Sequence, residues 1–256
     1  MVIDGGSEGQ GTASVVLCSG GLDSAVLIAH ESEKFLVQPI YVNGGLAWES
    51  VERQYLDRLL STPNFASGVR PILDIQCLTT DVYSPTHWAI QGTPPAYDTP
   101  DEDVYLPGRN ILLLSKAAVY CALNNISRIA VGPLAGNPFA DATPEFFSAL
   151  ADVLSMGLEK PIEIATPFLT LSKVDVINLG ATLNVPWSAT ISCMNPAQGI
   201  HCGRCSKCRE RLQAFESVGI PDPAGYAYRP TDVSVSYTHL RAHETDSYLV
   251  CRLLLE

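Results

Sequence analysis

The apolar run Val15-Val16-Leu17 breaks into Cys18-Ser19-Gly20-Gly21-Leu22-Asp23-Ser24, and a second apolar stretch follows at once. A buried strand that ends in a Gly-rich turn and opens a helix makes an anion cradle. The backbone N–H groups of the turn point at the ligand, and the helix dipole favours negative charge. Gly20 and Gly21 let a backbone approach closely where a Cβ would stand in the way. Ser19 and Ser24 add hydroxyl donors, and Leu17 and Leu22 flank the turn. Asp23 stands where a carboxylate caps a helix or helps to hold a magnesium ion. There is no G-x-x-x-x-G-K-[ST] and no G-x-G-x-x-G, so neither a Walker loop nor a dinucleotide fingerprint is present. A βα turn without a ligand is the alternative reading.

Cys193, Cys202, Cys205 and Cys208 form C-x(8)-C-x(2)-C-x(2)-C. Four thiolates at this spacing reach one tetrahedral ion, and zinc is the usual occupant. A closed four-Cys shell leaves no position for water, so such a zinc is structural. A disulfide cluster and an iron–sulfur cluster are the alternatives. The start of the chain has neither a basic n-region nor an apolar h-region, which favours a reducing, cytoplasmic setting. His201 adjoins Cys202 and is a poor fifth candidate. Cys18, Cys77 and Cys121 read as small buried hydrophobes.

At 256 residues and 46% apolar content the chain can bury one full core. No run approaches the ~20 apolar residues of a membrane helix. The net charge of −11 opposes general binding to nucleic acid, which needs Lys and Arg to neutralise phosphates. Arg204, Lys207, Arg209 and Arg211 make one local basic cluster, read as a solvated helix face beside the thiolates rather than an RNA contact.

Residues 1–13, rich in Gly and Ser, are expected to be disordered. Strands are expected at 15–18, 36–42, 69–75, 129–132 and 162–165, and helices at 24–33, from Trp48, and at 111–123. Pro39 places the second strand at an edge or gives it a loose start. The helix at 111–123 is apolar all round and expected to be buried. Thr143-Pro144-Glu145 opens another helix, with Phe146, Phe147, Leu150, Val153 and Leu154 as its core stripe. Ser172 and Asp175 form a capping box for a helix ending near Gly180. Residues 79–108 form a long, functional or mobile loop. The alternation predicts an α/β fold with a parallel sheet, and ligands outside the carboxyl ends of its strands. From Ser236 the chain resembles translated adapter or vector sequence, with a natural C-terminal helix as the alternative.

The Ser-Gly-Gly-Leu-Asp-Ser loop resembles the pyrophosphate loop of the ATP pyrophosphatase (PP-loop) superfamily. With Pro107-Gly108-Arg109-Asn110, the four-Cys module, Thr143-Pro144-Glu145-Phe146, Leu171-Ser172-Lys173, Leu212-Gln213-Ala214-Phe215 and Gly219-Ile220-Pro221-Asp222-Pro223, the match narrows. From about Ser14 to Tyr228 the chain resembles the 7-cyano-7-deazaguanine synthase family of queuosine precursor biosynthesis. The resemblance implies a Rossmann-like sheet of the adenine nucleotide alpha hydrolase type, spanning 14–190, and a zinc module at 191–230, with 231–256 as an anomalous tail.

It further implies a ligase that adenylates the carboxylate of 7-carboxy-7-deazaguanine with ATP, then uses ammonia to reach the nitrile. Leu17, Ser19, Gly20, Gly21, Leu22, Asp23 and Ser24 would hold the nucleotide, with Mg²⁺ bridging its phosphates. Asp23, Arg109 and Lys173 are the catalytic candidates. Arg109 is read as a contact to phosphate or substrate carboxylate, or else as an ion pair orienting its loop. The family also admits a homodimer. Two stretches depart from the family pattern: Tyr41-Val42-Asn43-Gly44-Gly45, where an Asp-Tyr-Gly-Gln type run is usual, and Gly136 to Thr143, in place of the substrate-reading loop. A PP-loop enzyme acting on another carboxylate or a tRNA base, and a non-catalytic nucleotide-binding module, are the competing functions.

Overall fold

The structure, a computed structural model, describes residues 12–229. The expectations for residues 1–11 and for the tail from 231 lie outside these. Ala13, assigned above to a disordered start, opens the first strand. Five strands form one parallel sheet: β1 Ala13–Leu17, β2 Leu36–Asn43, β3 Leu73–Gln76, β4 Arg128–Ala130 and β5 Glu163–Ala165, in the order β3-β2-β1-β4-β5. The helices are α1 Leu22–Ser32, α2 Glu49–Leu60, α3 Trp88–Gln91, α4 Arg109–Leu123, α5 Pro144–Leu158, α6 Lys173–Thr182 and α7 Ser206–Ser217.

β1 is central, so both of its faces are covered and it reads as a continuous apolar run. Its side chains alternate between two cores, as the two-residue period of a strand requires. Val16 packs with Ala25, Val26, Leu56 and Val176 from α1, α2 and α6. Val15 and Leu17 pack with Leu114, Ala118, Cys121 and Phe147 from α4 and α5. The winding reverses between β1 and β4, which opens a crevice beyond the carboxyl end of β1.

Pro39 does not mark an edge. β2 lies between β1 and β3, with Pro39 in register with Val16. The reason is a shift in the β3 side of the pairing. Val37 pairs with Val69, whereas Ile40 pairs with Leu73, so one extra residue is accommodated opposite Pro39. The Gln38 side-chain amide donates to the Pro71 carbonyl at 3.0 Å, replacing the donor that proline lacks.

The all-round apolar helix is buried on one side only. Leu114, Ala117, Ala118 and Cys121 of α4 are buried, while Ile111, Val119 and Leu123 are exposed. In α5 the expected stripe thins in the same way: Phe147 is buried and Val153 is 59% exposed. The Thr143 cap and the Ser172–Asp175 capping box form as expected.

α6 ends at Thr182, close to the expected end, and encloses Gly180. A Cβ there would stand 2.6 Å from Val26 Cγ2 and 2.8 Å from Trp187 Cζ2, so the glycine admits the close approach of α1 and the Trp187 ring. Gly180→Ala is expected to cost about 1–3 kcal/mol through overpacking. An unchanged denaturant midpoint would show that the ring moves aside freely.

Candidate active site

The crevice is built on the turn between β1 and α1. Cys18 N donates to Ile40 O at 3.0 Å, extending the sheet by one residue before the turn begins. The loop then closes on itself. Ser19 N donates to Ser24 Oγ at 3.0 Å, the two hydroxyls lie 3.1 Å apart, and Gly21 N donates to Ser19 Oγ at 3.1 Å. Both hydroxyls therefore hold the loop in shape before any ligand arrives. Gly21 is the N-cap of α1 and offers no side-chain cap, so the first-turn N–H groups keep their capacity for an anion.

The two glycines serve different ends. Gly21 lines the crevice with Leu17, Ser19, Asp23 and Ser24, and Leu22 lines the adjoining space. A Cβ on Gly20 would instead stand 2.7 Å from Glu52 O and 3.1 Å from Ile191 Cγ2. Gly20 O accepts from Ile191 N at 2.7 Å, tying the loop to the segment that leads into the four cysteines.

Asp23 does not cap α1. Its carboxylate takes two hydrogen bonds from Lys173 Nζ, at 3.0 and 2.7 Å. Lys173, a catalytic candidate from the sequence, is 21% exposed and also pairs with Glu210 at 3.0 Å. Glu210 in turn pairs with Lys207 at 2.6 Å. Acid and base thus alternate from the loop to α7. Burial opposes the charge on Lys173, but Asp23 and Glu210 outweigh it and raise its pKa. Burial likewise disfavours the Glu210 carboxylate, yet Lys173 and Lys207 bring it down to about 2.

Glu52 on α2 completes the wall and was not singled out in the sequence. It accepts from the Tyr41 hydroxyl at 2.9 Å. Desolvation raises its pKa, against the opposing pull of the Arg109 charge and the Tyr41 hydrogen bond. Its only sequence signal was its place one turn after Glu49 on an amphipathic helix.

Arg109 opens α4 behind Gly108, which takes φ +74°. The helix start is fixed by Asp141: its Oδ2 accepts from Asn110 N at 3.1 Å, and Asn110 Nδ2 donates to Asp141 O at 2.7 Å. No side-chain hydrogen bond or ion pair holds the Arg109 guanidinium among the described residues. The ion pair that would orient its loop is therefore not present among the described residues. Arg109 lines both the loop crevice, about 270 Å³, and a second space of about 270 Å³. Aromatic rings line the second space. Trp48 and Trp88 stack at 5.7 Å and 11°, and Tyr105 and Phe139 stack at 5.0 Å. Trp88 and Tyr105 come from the long segment 79–108, which carries α3 and a 3-10 turn at Asp101–Val104.

Of the two departing stretches, the Asn43-Gly44-Gly45 turn is closed from within the protein. The buried Glu49 carboxylate accepts from Gly44 N, Gly45 N and Leu46 N at 2.8, 2.8 and 3.0 Å. The other stretch supplies Asn137, Phe139 and Asp141 to the aromatic space.

The four cysteines converge. Their sulfurs lie within 4.8 Å of one another, with separations of 3.5, 3.9 and 4.0 Å. A tetrahedron of sulfurs at ~2.3 Å from a zinc has edges of about 3.8 Å. Backbone N–H groups of Asn195, Cys202 and Arg204 point at the sulfurs at 3.3 Å. The residues present fit a tetrahedral metal. All seven described cysteines are free, which removes the disulfide reading. His201 stays outside the group. Its Nε2 accepts from Ser192 N at 3.1 Å, and burial together with the Arg211 charge lowers its pKa to about 4. Cys18 and Cys121 are buried as expected; Cys77 is half-buried.

The basic cluster is not a solvated face. Arg211 is 1% exposed and forms a two-point pair with Asp222, at 2.9 and 2.9 Å. Arg209 donates to Tyr97 O and Thr99 O, Lys207 pairs with Glu210, and Arg204 covers the Tyr228 ring. Asp222, from the Gly219–Pro223 run, supplied the charge that takes Arg211 inside.

No helix among the described residues is long and apolar enough to cross a membrane. Residues 13–219 match the family model described as queuosine biosynthesis protein QueC. The 7-cyano-7-deazaguanine synthase of Thermoplasma volcanium is 30% identical over 243 residues, covering 89% of this chain and 96% of its own. The enzymes of the same name from Pseudoalteromonas atlantica and Methanospirillum hungatei are 30% and 32% identical, over 83% of this chain and 97% and 99% of theirs. Among solved structures, the U34-tRNA thiolase NcsA of Methanococcus maripaludis is 12% identical, with a TM-score of 0.47 over 81% of this chain and 67% of its own. At that score the likeness carries no argument. On the match of residues 13–219 and these full-length relatives, the chain belongs to the QueC family of queuosine biosynthesis proteins.

Proposed function

We propose that this chain is an ATP-dependent ligase that converts 7-carboxy-7-deazaguanine and ammonia to 7-cyano-7-deazaguanine. The observation that carries the reading is the meeting, at Arg109, of a preformed anion loop and an aromatic-lined space of about 270 Å³. A planar acid stacked among the rings would present its carboxylate to the phosphates of a nucleotide held by the loop.

A carboxylate is a poor electrophile and needs a leaving group. A carboxylate oxygen attacks the α-phosphorus of ATP, and the bond to the β-phosphate oxygen breaks, releasing pyrophosphate. Ammonia adds to the acyl carbon and AMP leaves with that carboxylate oxygen, giving the amide. A second ATP activates the amide oxygen in the same way. Departure of the second AMP, with loss of two protons from nitrogen, leaves the nitrile. Two AMP thus form per nitrile, and each carries one of the two carboxylate oxygens.

The protein's part is placement and charge. The first-turn N–H groups of α1, with Ser19, Gly21 and Ser24, would hold the departing pyrophosphate. Lys173 would supply positive charge at the same place, with Asp23 orienting it. Arg109, at the junction and with no ion-pair partner among the described residues, would offset charge on the α-phosphoryl oxygens. Magnesium bound to the phosphates would neutralise charge on them. Cys193, Cys202, Cys205 and Cys208 would hold a zinc ion that braces the segment from Ile191 to α7.

The test is AMP release from ATP with 7-carboxy-7-deazaguanine and ammonium, with the product followed by mass. The expected result is acid-dependent release, about two AMP per nitrile by the stoichiometry above. The departures at 41–45 and 136–143 favour one second reading, in which another planar carboxylate is the substrate. Release with other acids alone would select it.

A further inference from the structure

Lys207 stands between Cys205 and Cys208, at the start of α7. Among the described residues it is the only charged one that lines both the aromatic space and the space beside the anion loop that Asp23 and Lys173 share. Arg109 marks the other passage between the nucleotide loop and the aromatic space. The aromatic space therefore opens toward the nucleotide past two cations, one from α4 and one from α7.

Lys207 is also restrained. Its ammonium is 2.6 Å from Glu210 Oε2, and its side chain is 30% exposed. The Glu210 carboxylate is shared between Lys207 and Lys173, so its negative charge is already matched. An ammonium has three donors, and Glu210 is the one hydrogen-bond partner of Lys207 Nζ among the described residues. Donors thus remain for an acceptor in the space that Lys207 lines. None of this follows from a structural need of the four-Cys turn. The sulfurs take their hydrogen bonds from the backbone, and Lys207 makes none to them.

We propose that Lys207 is a substrate-binding residue that receives the carboxylate of the planar acid in the aromatic space, while Glu210 positions it. The inference deepens the function proposed above and rests on it. No bond to Lys207 forms or breaks, and no proton moves: the lysine stays an ammonium and pairs with the carboxylate before it attacks phosphorus. In this arrangement the four-Cys turn delivers a side chain to the reacting centre.

A charge contact of this kind discriminates the acid from its nitrile, which carries no charge at that end. The experiment is calorimetric titration of the full chain, saturated with a non-hydrolysable ATP analogue, with 7-carboxy-7-deazaguanine and separately with 7-cyano-7-deazaguanine. In Lys207→Met, affinity for the acid is expected to fall about 10- to 100-fold, the loss of one charged hydrogen bond. Affinity for the nitrile and for the ATP analogue is expected to stay within about twofold, well under the tenfold step of 1.4 kcal/mol. Lys207→Arg, which keeps the charge, is expected to retain most of the acid binding. Lys207→Gln takes the place of Lys207→Met if that variant does not fold.

Equal loss of acid and nitrile would make Lys207 a packing residue and overturn the inference. Unchanged acid affinity in a variant of an active wild type would overturn it as well, leaving the proposed function standing. A wild type that binds neither compound would overturn the proposed function and this inference with it.

Discussion

Lys173→Met is expected to lower acid-dependent AMP release by about 10²- to 10³-fold, the range for loss of one preorganised charge-stabilising donor (~2.7–4 kcal/mol). The size follows from where Lys173 stands. It holds Asp23 at the mouth of the anion loop through two hydrogen bonds and Glu210 through a third contact. Without the ammonium, two carboxylates face the place where a pyrophosphate must sit. The variant therefore loses an attraction and gains a repulsion, and affinity for a non-hydrolysable ATP analogue falls with the rate. Lys173→Arg keeps the charge but not the compact three-donor geometry, so it should recover only part of the activity. AMP release within about threefold of wild type in Lys173→Met, far short of the loss of a stabilising donor, would remove Lys173 from the machinery.

Cys208→Ser is expected to have the largest effect on stability. Structural zinc contributes its binding free energy to folding, about 10–16 kcal/mol in isolated zinc-finger peptides at neutral pH. Cys208 is fully buried, with its sulfur 3.5 Å from that of Cys205 and 3.9 Å from that of Cys202. Replacing it opens the shell, so bound metal falls from about one equivalent toward none, and the melting temperature falls with it. The loss should reach the active site, because Ile191 is bonded to the loop at Gly20 and α7 carries Lys207 and Glu210. Metal analysis and a thermal melt on the purified chain provide the check. A colourless wild type with one zinc per chain and a metal-poor, less stable variant support the reading. Visible absorbance with bound iron would replace zinc by an iron–sulfur cluster, and unchanged metal content and melting would discard the site.

Local patterns were legible where a residue acts through its neighbours in sequence. The Thr143 cap, the Ser172–Asp175 capping box and the turn at 18–24 all depend on contacts within a few residues, and all appear as expected. The four-Cys group was legible because its spacing limits the reach of the sulfurs. Pro39 and Arg211 were misread for a common reason. Pro39 is tolerated in an inner strand because Gln38 and an extra residue near Pro71 make up for the missing donor. Arg211 answers to Asp222. In each case the deciding partner, or the register that creates the need, lies on another element.

The candidate site divides the same way. The sequence by itself determined an α/β alternation with a parallel sheet, a Gly-rich turn after its first strand and a four-Cys group, because apolar patterning, glycine conformation and cysteine spacing are local constraints. It also marked Asp23, Arg109 and Lys173 as charges without saying what each one faces. Only the tertiary structure decided that Lys173 turns to Asp23 and Glu210, that Arg109 finds no ion-pair partner among the described residues, and that Glu52 and Lys207 join the site. Those outcomes depend on burial and charge partners brought together across 150 residues of chain in the Asp23–Lys173 pair, and long-range pairing of that kind leaves no periodic trace in a sequence.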